Sequence, residues 1–155
     1  MSTYALVKFV HVVSSVLLVG TGFGSAFYLF FTIRSGEVDA VVTVARLVVR
    51  ADWWITTPTA ILQPLTGAAL IKLGSWPMQV PWIQYSLALY VIAALCWLPV
   101  VWLQLRMEDM AFTAQRSNAG LSKTFERFAR CWTALGVFAF SAMLAIYYGM
   151  IVKPA

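Results

Sequence analysis

The sequence from Arg50 to Gly67, RADWWITTPTAILQPLTG, decides the fold of this chain. Between Trp53 and Lys72 no side chain is charged, and most are apolar. The polar side chains of this region recur at spacings of four and three, as on a helix: Asp52, Thr56, Thr59, Gln63 and Thr66. A single polar stripe on an otherwise apolar helix predicts a membrane-spanning helix whose stripe faces its neighbours rather than lipid.

The composition of the whole chain also indicates an integral membrane protein. Of its 155 residues, 61% are hydrophobic and only 11% are charged, whereas soluble domains carry about 45–50% apolar and about 25% charged residues. The high apolar content excludes a disordered chain. Two cysteines provide no disulfide framework. One histidine excludes a multi-histidine metal site within one chain.

Four apolar segments each reach the roughly 20 residues that a helix needs to cross a bilayer. They run from about Tyr4 to Ile33, Trp53 to Leu73, Trp82 to Leu105 and Cys131 to Val152. Helical periodicity continues outside some of these spans, so the predicted helices cover about residues 4–33, 38–73, 82–106 and 122–152. We therefore predict a single all-α domain over residues 1–155, an integral membrane four-helix bundle.

The distribution of lysine and arginine predicts the orientation of this bundle. Eight basic residues flank the first and third loops: Arg34, Arg46, Arg50, Arg106, Arg116, Lys123, Arg127 and Arg130. Only three lie on the other side: Lys8, Lys72 and Lys153. The positive-inside rule then puts the two basic loops in the cytoplasm and both termini on the outer, periplasmic side. The net charge of +5 accordingly predicts contact with anionic lipid of the bilayer and no nucleic-acid partner.

The first predicted helix presents one face of small and polar side chains. At about 100° per residue, the members of this face lie within roughly 80° of one another: His11, Ser15, Gly22 and Ser25. Lys8 lies at the edge of the same sector. Gly20 and Gly24 form a Gly-x-x-x-Gly pair on an adjoining face, which predicts the close approach of another helix.

His11 is the most suggestive single residue. It lies about 10 Å below the start of its helix, near the predicted level of polar groups from other helices: Gln63, Thr66, Gln84, Tyr85, Tyr147 and Tyr148. One interpretation is a neutral imidazole that is hydrogen-bonded to one of these groups. The other is an axial ligand to heme iron. Ligation by two histidines would then require a second copy of the chain.

The polar stripe of the second predicted helix also has two interpretations. Pro58 and Pro64 each remove an amide donor and free a carbonyl upstream, which threonine and glutamine side chains of the stripe can partly satisfy. The stripe therefore either stabilises a kinked helix against its neighbours or lines a cavity or ligand groove. Arg50, at the predicted cytoplasmic mouth of this helix, is at a position typical of an anchor for lipid phosphates.

Several stretches resemble a bacterial family of predicted four-helix integral membrane proteins, known only as a domain of unknown function. These stretches are VKFVH (7–11), RADWWITTP (50–58), QPLTG (63–67) and SLALYVIAALCWLPVVWLQLRM (86–107). The resemblance covers nearly the whole chain. It implies a multi-pass protein of the bacterial inner (plasma) membrane and implies no activity.

The first two helices also resemble the HemJ-type protoporphyrinogen oxidases, which are small heme-associated membrane proteins. The Lys-x-x-His motif of that family is matched by Lys8 and His11. Its arginine, followed after five residues by Thr-Thr-Pro, is matched by Arg50 and the sequence TTP at 56–58. The resemblance implies heme b as cofactor, His11 as the ligand of the heme iron, and Arg50 as a contact for a heme propionate.

The third helix departs from the HemJ pattern. Where that family has Trp-Leu-His-x-Lys, this chain has WIQYS (82–86), so Gln84 and Ser86 replace the histidine and lysine. Those residues belong to the presumed active centre of the family. The resemblance therefore implies heme or porphyrin binding here and leaves protoporphyrinogen oxidase activity doubtful. The candidate cofactor-binding residues are His11, Arg50, Lys8, Thr56, Gln63, Thr66 and Gln84.

Three functions are compatible with these features. The leading hypothesis is a heme- or porphyrin-binding membrane protein with a redox role. The second is a non-catalytic membrane subunit, whose polar and glycine faces pack against a second copy of the chain or another membrane protein. A small solute transporter is a weaker third hypothesis, because four helices form a narrow pathway and no acid lies within the predicted spans to couple protons.

Overall fold

The computed structural model describes residues 2–153, and the helices account for most of them. In chain order the elements are α1 (Thr3–Ser35), α2 (Val38–Ala51), a π-helical segment (Asp52–Thr56), α3 (Thr57–Leu73), α4 (Pro81–Arg116) and α5 (Lys123–Val152). No β-strand occurs between residues 2 and 153. The prediction of an all-α fold is confirmed.

Three of the helices, α1, α4 and α5, are long and apolar enough to cross a membrane by length and composition. The second predicted span is not among these three. It is built differently, because the 17-residue α3 continues through the π-helical segment from α2 as one helical stretch over residues 38–73, which we call the second pass. Large apolar side chains cover the outside of the molecule, with Trp54 82% exposed and Ile151 81% exposed. Such a surface suits contact with lipid, since a soluble protein rarely exposes apolar patches of this size.

Helix α4 extends ten residues beyond the predicted end near residue 106. Its last turns are held by a buried row at helical spacing: Leu103, Met107, Ala111 and Ala114. These side chains pack against a core outside the apolar span, so the helix does not end where its membrane-like composition ends. The loop after α4 is correspondingly short, from Ser117 to Ser122.

The main hydrophobic core lies at the end of the molecule that contains α2, which we call the basic end because the arginine-rich segments lie there. Helix α2 is amphipathic, and its buried face consists of Val41, Val42, Ala45 and Val48. This face packs with Met107 of α4, Phe125 of α5 and Leu29 of α1. The basic end thus holds the four helical passes together, while the opposite end carries the loop of residues 74–80.

The two prolines of the second pass shape it in different ways. The helix is wider over Asp52–Thr56, a segment that ends two residues before Pro58. The Thr57 amide donates to the Asp52 carbonyl five residues back, the pattern of a π-helix. Pro64 leaves the carbonyl of Ala60 without its intrahelical donor, and the hydroxyl of Tyr90 on α4 donates to that carbonyl. A tyrosine of another helix, rather than a threonine or glutamine of the stripe, therefore satisfies the freed group.

The predicted role of the Gly20–Gly24 pair is not seen within the chain. Among residues 2–153, a side-chain carbon at either position would meet no atom within 4 Å, so the close approach is not made there. The fully buried positions of α1 are instead Ser14 and Leu29, which lie on other faces of the helix. Within residues 2–153, α1 packs through the polar contact of Ser14 and through Leu29 in the basic-end core.

Candidate functional site

A polar cluster joins α1 to α3 near the end opposite to the basic end. The His11 Nδ1 atom lies 2.7 Å from Thr66 Oγ1. The Gln63 side-chain amide donates to the His11 carbonyl at 2.9 Å and to Ser14 Oγ at 2.6 Å. Ser14 in turn donates to the His11 carbonyl at 3.0 Å. We call these four residues, His11, Ser14, Gln63 and Thr66, the His11 cluster.

The hydrogen bonds of Thr66 favour a proton on Nδ1 of His11. Thr66 Oγ1 lies 2.7 Å from the Leu62 carbonyl oxygen, to which its hydroxyl can donate. With its one hydrogen used there, Thr66 accepts from His11 Nδ1, and Nε2 keeps a free lone pair. The imidazole is half-buried, and a side-chain carbon at Gly67 would lie 3.6 Å from its Cε1 atom. The ring therefore lies against α3 at Thr66 and Gly67.

The other predicted cofactor-binding residues do not join the His11 cluster. Lys8, Arg50 and Gln84 are exposed. Arg50 precedes Thr66 by sixteen residues in the same helical stretch, which corresponds to about 24 Å. Thr56 is buried, but it lies about 15 Å from Thr66 by the same rise per residue.

Below this cluster, α1, α3, α4 and α5 diverge and leave a cleft of about 720 Å³. Most of its wall is aliphatic or aromatic, including Phe27, Tyr90, Trp97 and Phe140. Several wall residues are also exposed on the outside of the molecule, such as Phe23 at 54% and Leu65 at 62%. The cleft is therefore open sideways, toward the surface that faces lipid.

The end of the cleft nearest the basic end is polar. Four side chains form what we call the polar floor: Asp52, Thr56, Gln104 and Trp132, each at most 5% exposed. Each has one buried polar atom without a hydrogen-bond partner among residues 2–153: Asp52 Oδ2, Thr56 Oγ1, Gln104 Oε1 and Trp132 Nε1. An unpaired polar group in an apolar interior is costly, so a polar group bound against these atoms would be stabilised.

Comparison with known proteins identifies the chain at the level of a family. A family described as "Predicted integral membrane protein (DUF2269)" matches residues 5–154. The chain belongs to this family. The predicted membership of an uncharacterised family of integral membrane proteins is thereby confirmed. No curated protein and no solved structure matches the chain, so membership of DUF2269 supplies membrane insertion and no activity.

Only half of the polar floor of this DUF2269 protein follows from its sequence pattern. Asp52 and Thr56 belong to the predicted stripe, and both are buried as that pattern requires. Trp132, at the start of the span predicted from Cys131 to Val152, is only 4% exposed. Gln104 is buried next to Leu103, and no pattern in the sequence pointed to it.

Asp52 of this DUF2269 protein is a buried acid that the predicted spans did not include. No acid was expected inside the predicted spans, because the second span was taken to begin at Trp53. The structure buries Asp52 to 5% exposure, with Thr56 and Gln104 beside its carboxyl group. The chain therefore contains a buried acid at the foot of a cleft that lies among its membrane-spanning helices.

Proposed function

We propose that this DUF2269 protein binds heme b or a related porphyrin in the membrane and has a redox role, with His11 as the iron ligand. The observation that carries the proposal is the orientation of the imidazole. His11 Nδ1 lies 2.7 Å from Thr66 Oγ1, and with Nδ1 as the donor of this bond Nε2 presents a lone pair. Histidines that ligate metals commonly donate their second nitrogen to a neighbouring acceptor in this way.

The residues around His11 fit this role. Thr66 and Gln63 hold the ring and the backbone of His11 from α3. Lys8 precedes His11 by three residues, so it lies on the same side of α1, and its exposed ammonium group can pair with a heme carboxylate. When bound, the heme would supply one-electron transfer. The role of this chain is to hold and orient the group and to set its surroundings.

Arg50 is not part of this proposed site. Along the second pass it is about 24 Å from the level of Thr66, farther than a heme iron lies from its own carboxylates. Thr56 is likewise out of reach of the cluster by depth. Gln84 is exposed on α4, outside the contact of α1 with α3 that holds His11. The proposed heme site therefore consists of His11, Thr66, Gln63 and Lys8. A second imidazole ligand would come from a second copy of the chain.

The test is an absorbance spectrum of the full chain, purified in detergent after expression with ample heme, in the oxidised and dithionite-reduced forms. We expect a Soret band with reduced α and β bands, and we expect His11→Ala to abolish it. Gln84→Ala is the matched control, because Gln84 is also polar and near the same end but is exposed and outside the cluster. A colourless wild-type protein would refute heme binding and favour the non-catalytic subunit.

The positioning role of Thr66 has its own test. Thr66→Val removes the acceptor for His11 Nδ1 and keeps the shape of the side chain, whereas Thr66→Ser keeps the acceptor. Loss of such an orienting partner typically weakens metal affinity by 10- to 100-fold. We expect Thr66→Val to lower heme affinity and shift the midpoint potential, and Thr66→Ser to restore both. Equal spectra and potentials in all three proteins would exclude this role for Thr66.

We also propose that the protein lies in a bacterial inner membrane with its basic end in the cytoplasm. The support is the excess of lysine and arginine at that end. Ser75 and Ser117 lie in the two loops at opposite ends of the molecule, so each can be replaced by cysteine in a background without Cys96 and Cys131. A membrane-impermeant maleimide should label intact spheroplasts at Ser75→Cys and not at Ser117→Cys. The reverse pattern would invert the orientation.

A further inference from the structure

We propose that the cleft between α1, α3, α4 and α5 is a binding site for an isoprenoid quinol, with its two-hydroxyl aromatic head on the polar floor. The proposal rests on the geometry of the cleft and does not depend on heme binding at His11. His11 is not among the residues that line the cleft, whose wall on α1 begins at Leu18. Seven residues of helix separate the two, about 10 Å.

The cleft is polar at one end and apolar along its length, as is a membrane amphiphile with a polar head and an apolar body. The polar atoms of the cleft that have no partner among residues 2–153 lie at the basic end. The hydroxyls of Ser25 and Tyr90, which also line it, donate to backbone carbonyls. The wall continues along the second pass as far as Pro64 and Leu65. From Asp52 to Pro64 the helix rises about 18 Å, which extends from the polar floor well into the apolar span. Trp53 and Trp54, beside Asp52, are 61% and 82% exposed, as expected for indole rings near a lipid–water interface. A ligand with its head at this level and an apolar body above it matches the cleft in depth.

The hydrogen-bonding groups of the polar floor select the chemistry of the head. Trp132 Nε1 can only donate, and Gln104 Oε1 can only accept. A hydroxyl group satisfies both needs, because it donates and accepts at once. An ammonium head would leave Trp132 Nε1 unpaired. A phosphate or carboxylate head would leave Gln104 Oε1 unpaired and would meet the carboxyl group of Asp52.

Aromatic side chains in the cleft wall favour an aromatic head over an aliphatic one. The indole rings of Trp97 and Trp132 and the ring of Phe30 all line the cleft. Aromatic rings pair favourably in offset or edge-to-face arrangements, by about 0.5–1.5 kcal/mol beyond the area that they bury. A hydroquinone ring offers both the aromatic faces and the two hydroxyl groups. Among membrane-soluble molecules, isoprenoid quinols combine that head with a long apolar tail.

The open side of the cleft gives the ligand a route in from the bilayer and leaves room for its apolar tail. Phe23 and Phe27 are 54% and 49% exposed while lining the cleft. A lipid-soluble ligand can therefore enter from the bilayer, without passing through water, and leave its tail among lipid chains. The cleft volume of about 720 Å³ lies within the range of about 300–1,000 Å³ that is usual for small-molecule sites.

The first experiment measures binding by the full chain in detergent, using isothermal titration calorimetry with a short-tailed ubiquinol kept reduced. The matching quinone and a short-chain diacylglycerol are the comparison ligands. A quinone head only accepts hydrogen bonds, so it leaves acceptors of the polar floor unpaired. We expect saturable quinol binding that is at least about tenfold tighter than quinone binding, the effect of one lost buried hydrogen bond.

The second experiment locates the bound ligand with a matched pair of variants. Thr56 and Thr59 are both buried on the same stripe, but only Thr56 lines the cleft. The Thr59 hydroxyl already donates to the Ile55 carbonyl. Thr56→Val should weaken quinol binding about tenfold, whereas Thr59→Val should leave it unchanged. Trp132→Phe, which keeps an aromatic ring and removes the N–H donor, provides an independent second variant if Thr56→Val does not fold.

Each alternative result overturns a defined part of the proposal. Absence of saturable quinol binding, or equal losses in Thr56→Val and Thr59→Val, would reject the cleft as the site. Diacylglycerol binding as tight as quinol binding would reject the aromatic head and identify a hydroxylated lipid instead. Because His11→Ala lies outside the cleft, it should retain quinol binding whether or not the wild-type protein carries heme.

Discussion

Replacement of Gln63 by leucine tests the polar contact that joins the first two helical passes. The Gln63 side-chain amide is only 7% exposed and donates to two groups of α1, the His11 carbonyl at 2.9 Å and Ser14 Oγ at 2.6 Å. Leucine has a similar volume and no polar atoms. Interhelical side-chain hydrogen bonds in membrane proteins average about 0.6 kcal/mol each. We therefore expect Gln63→Leu to lower the free energy of unfolding by about 1.2 kcal/mol.

The cost stays this small because the partners of Gln63 are not abandoned. Ser14 still donates to the His11 carbonyl at 3.0 Å after the amide is removed. Neither group is then left with an unpaired donor in an apolar interior, which would cost more. The α1 and α3 helices would remain associated, with His11 still held by Thr66.

The assay is reversible unfolding of the purified protein by sodium dodecyl sulfate in mixed micelles, followed by far-ultraviolet circular dichroism. Gln84→Leu is the matched control, since it is the same substitution at an exposed site on α4, and it should change stability by less than about 0.5 kcal/mol. In the double variant with Ser14→Ala, the coupling should be close to one hydrogen bond, about 0.6 kcal/mol. If Gln63→Leu is as stable as Gln84→Leu, the contact does not hold the helices together.

Two further predictions concern other contacts between the helices. Tyr90→Phe should lower the free energy of unfolding by about 0.5–1.5 kcal/mol, because it removes the donor to the Ala60 carbonyl. This loss should largely disappear in a Pro64→Ala background, where the amide of residue 64 can donate to that carbonyl. An equal loss in both backgrounds would contradict this account. Met107→Ala should lower the free energy of unfolding by about 2–5 kcal/mol, because Met107 is completely buried in the basic-end core. Leu98→Ala, at an exposed position, should lower it far less in the same detergent titration. Similar losses in both variants would show that the basic-end core is not the main source of stability.

The sequence predicted those features that depend on the periodicity of a single helix. A polar side chain on a membrane helix must face other protein groups, so the spacing of Thr59, Gln63 and Thr66 was enough to predict that they are buried. The depth of His11 along its helix was enough to bring it level with Gln63 and Thr66, and the contacts confirm this. These predictions succeed because rise and rotation per residue are nearly constant in a helix.

Features that depend on several helices could not be predicted in this way. The polar floor combines Asp52 with Gln104 and Trp132 of two other helices, and no spacing within one segment connects them. The rotation of α4 and α5 about their own axes decides which face is buried, and long apolar helices give that rotation little sequence signal. The extension of α4 to Arg116 did have a signal, the repeated small and apolar residues beyond Leu103, but the charges at 106, 108 and 109 favoured a loop.

The pairing of α1 with α3 has a consequence for how the chain is made. All partners within the His11 cluster belong to the first 73 residues, so this helical hairpin can satisfy those polar groups among themselves while the ribosome is still adding later segments. The polar floor and the basic-end core, by contrast, require α4 and α5. During synthesis the first half can therefore leave the translocon as an assembled unit. Asp52, by contrast, stays without its neighbours from α4 and α5 until those two helices have been made. Quality-control proteases of the membrane would meet that unfinished state in any variant that truncates α5.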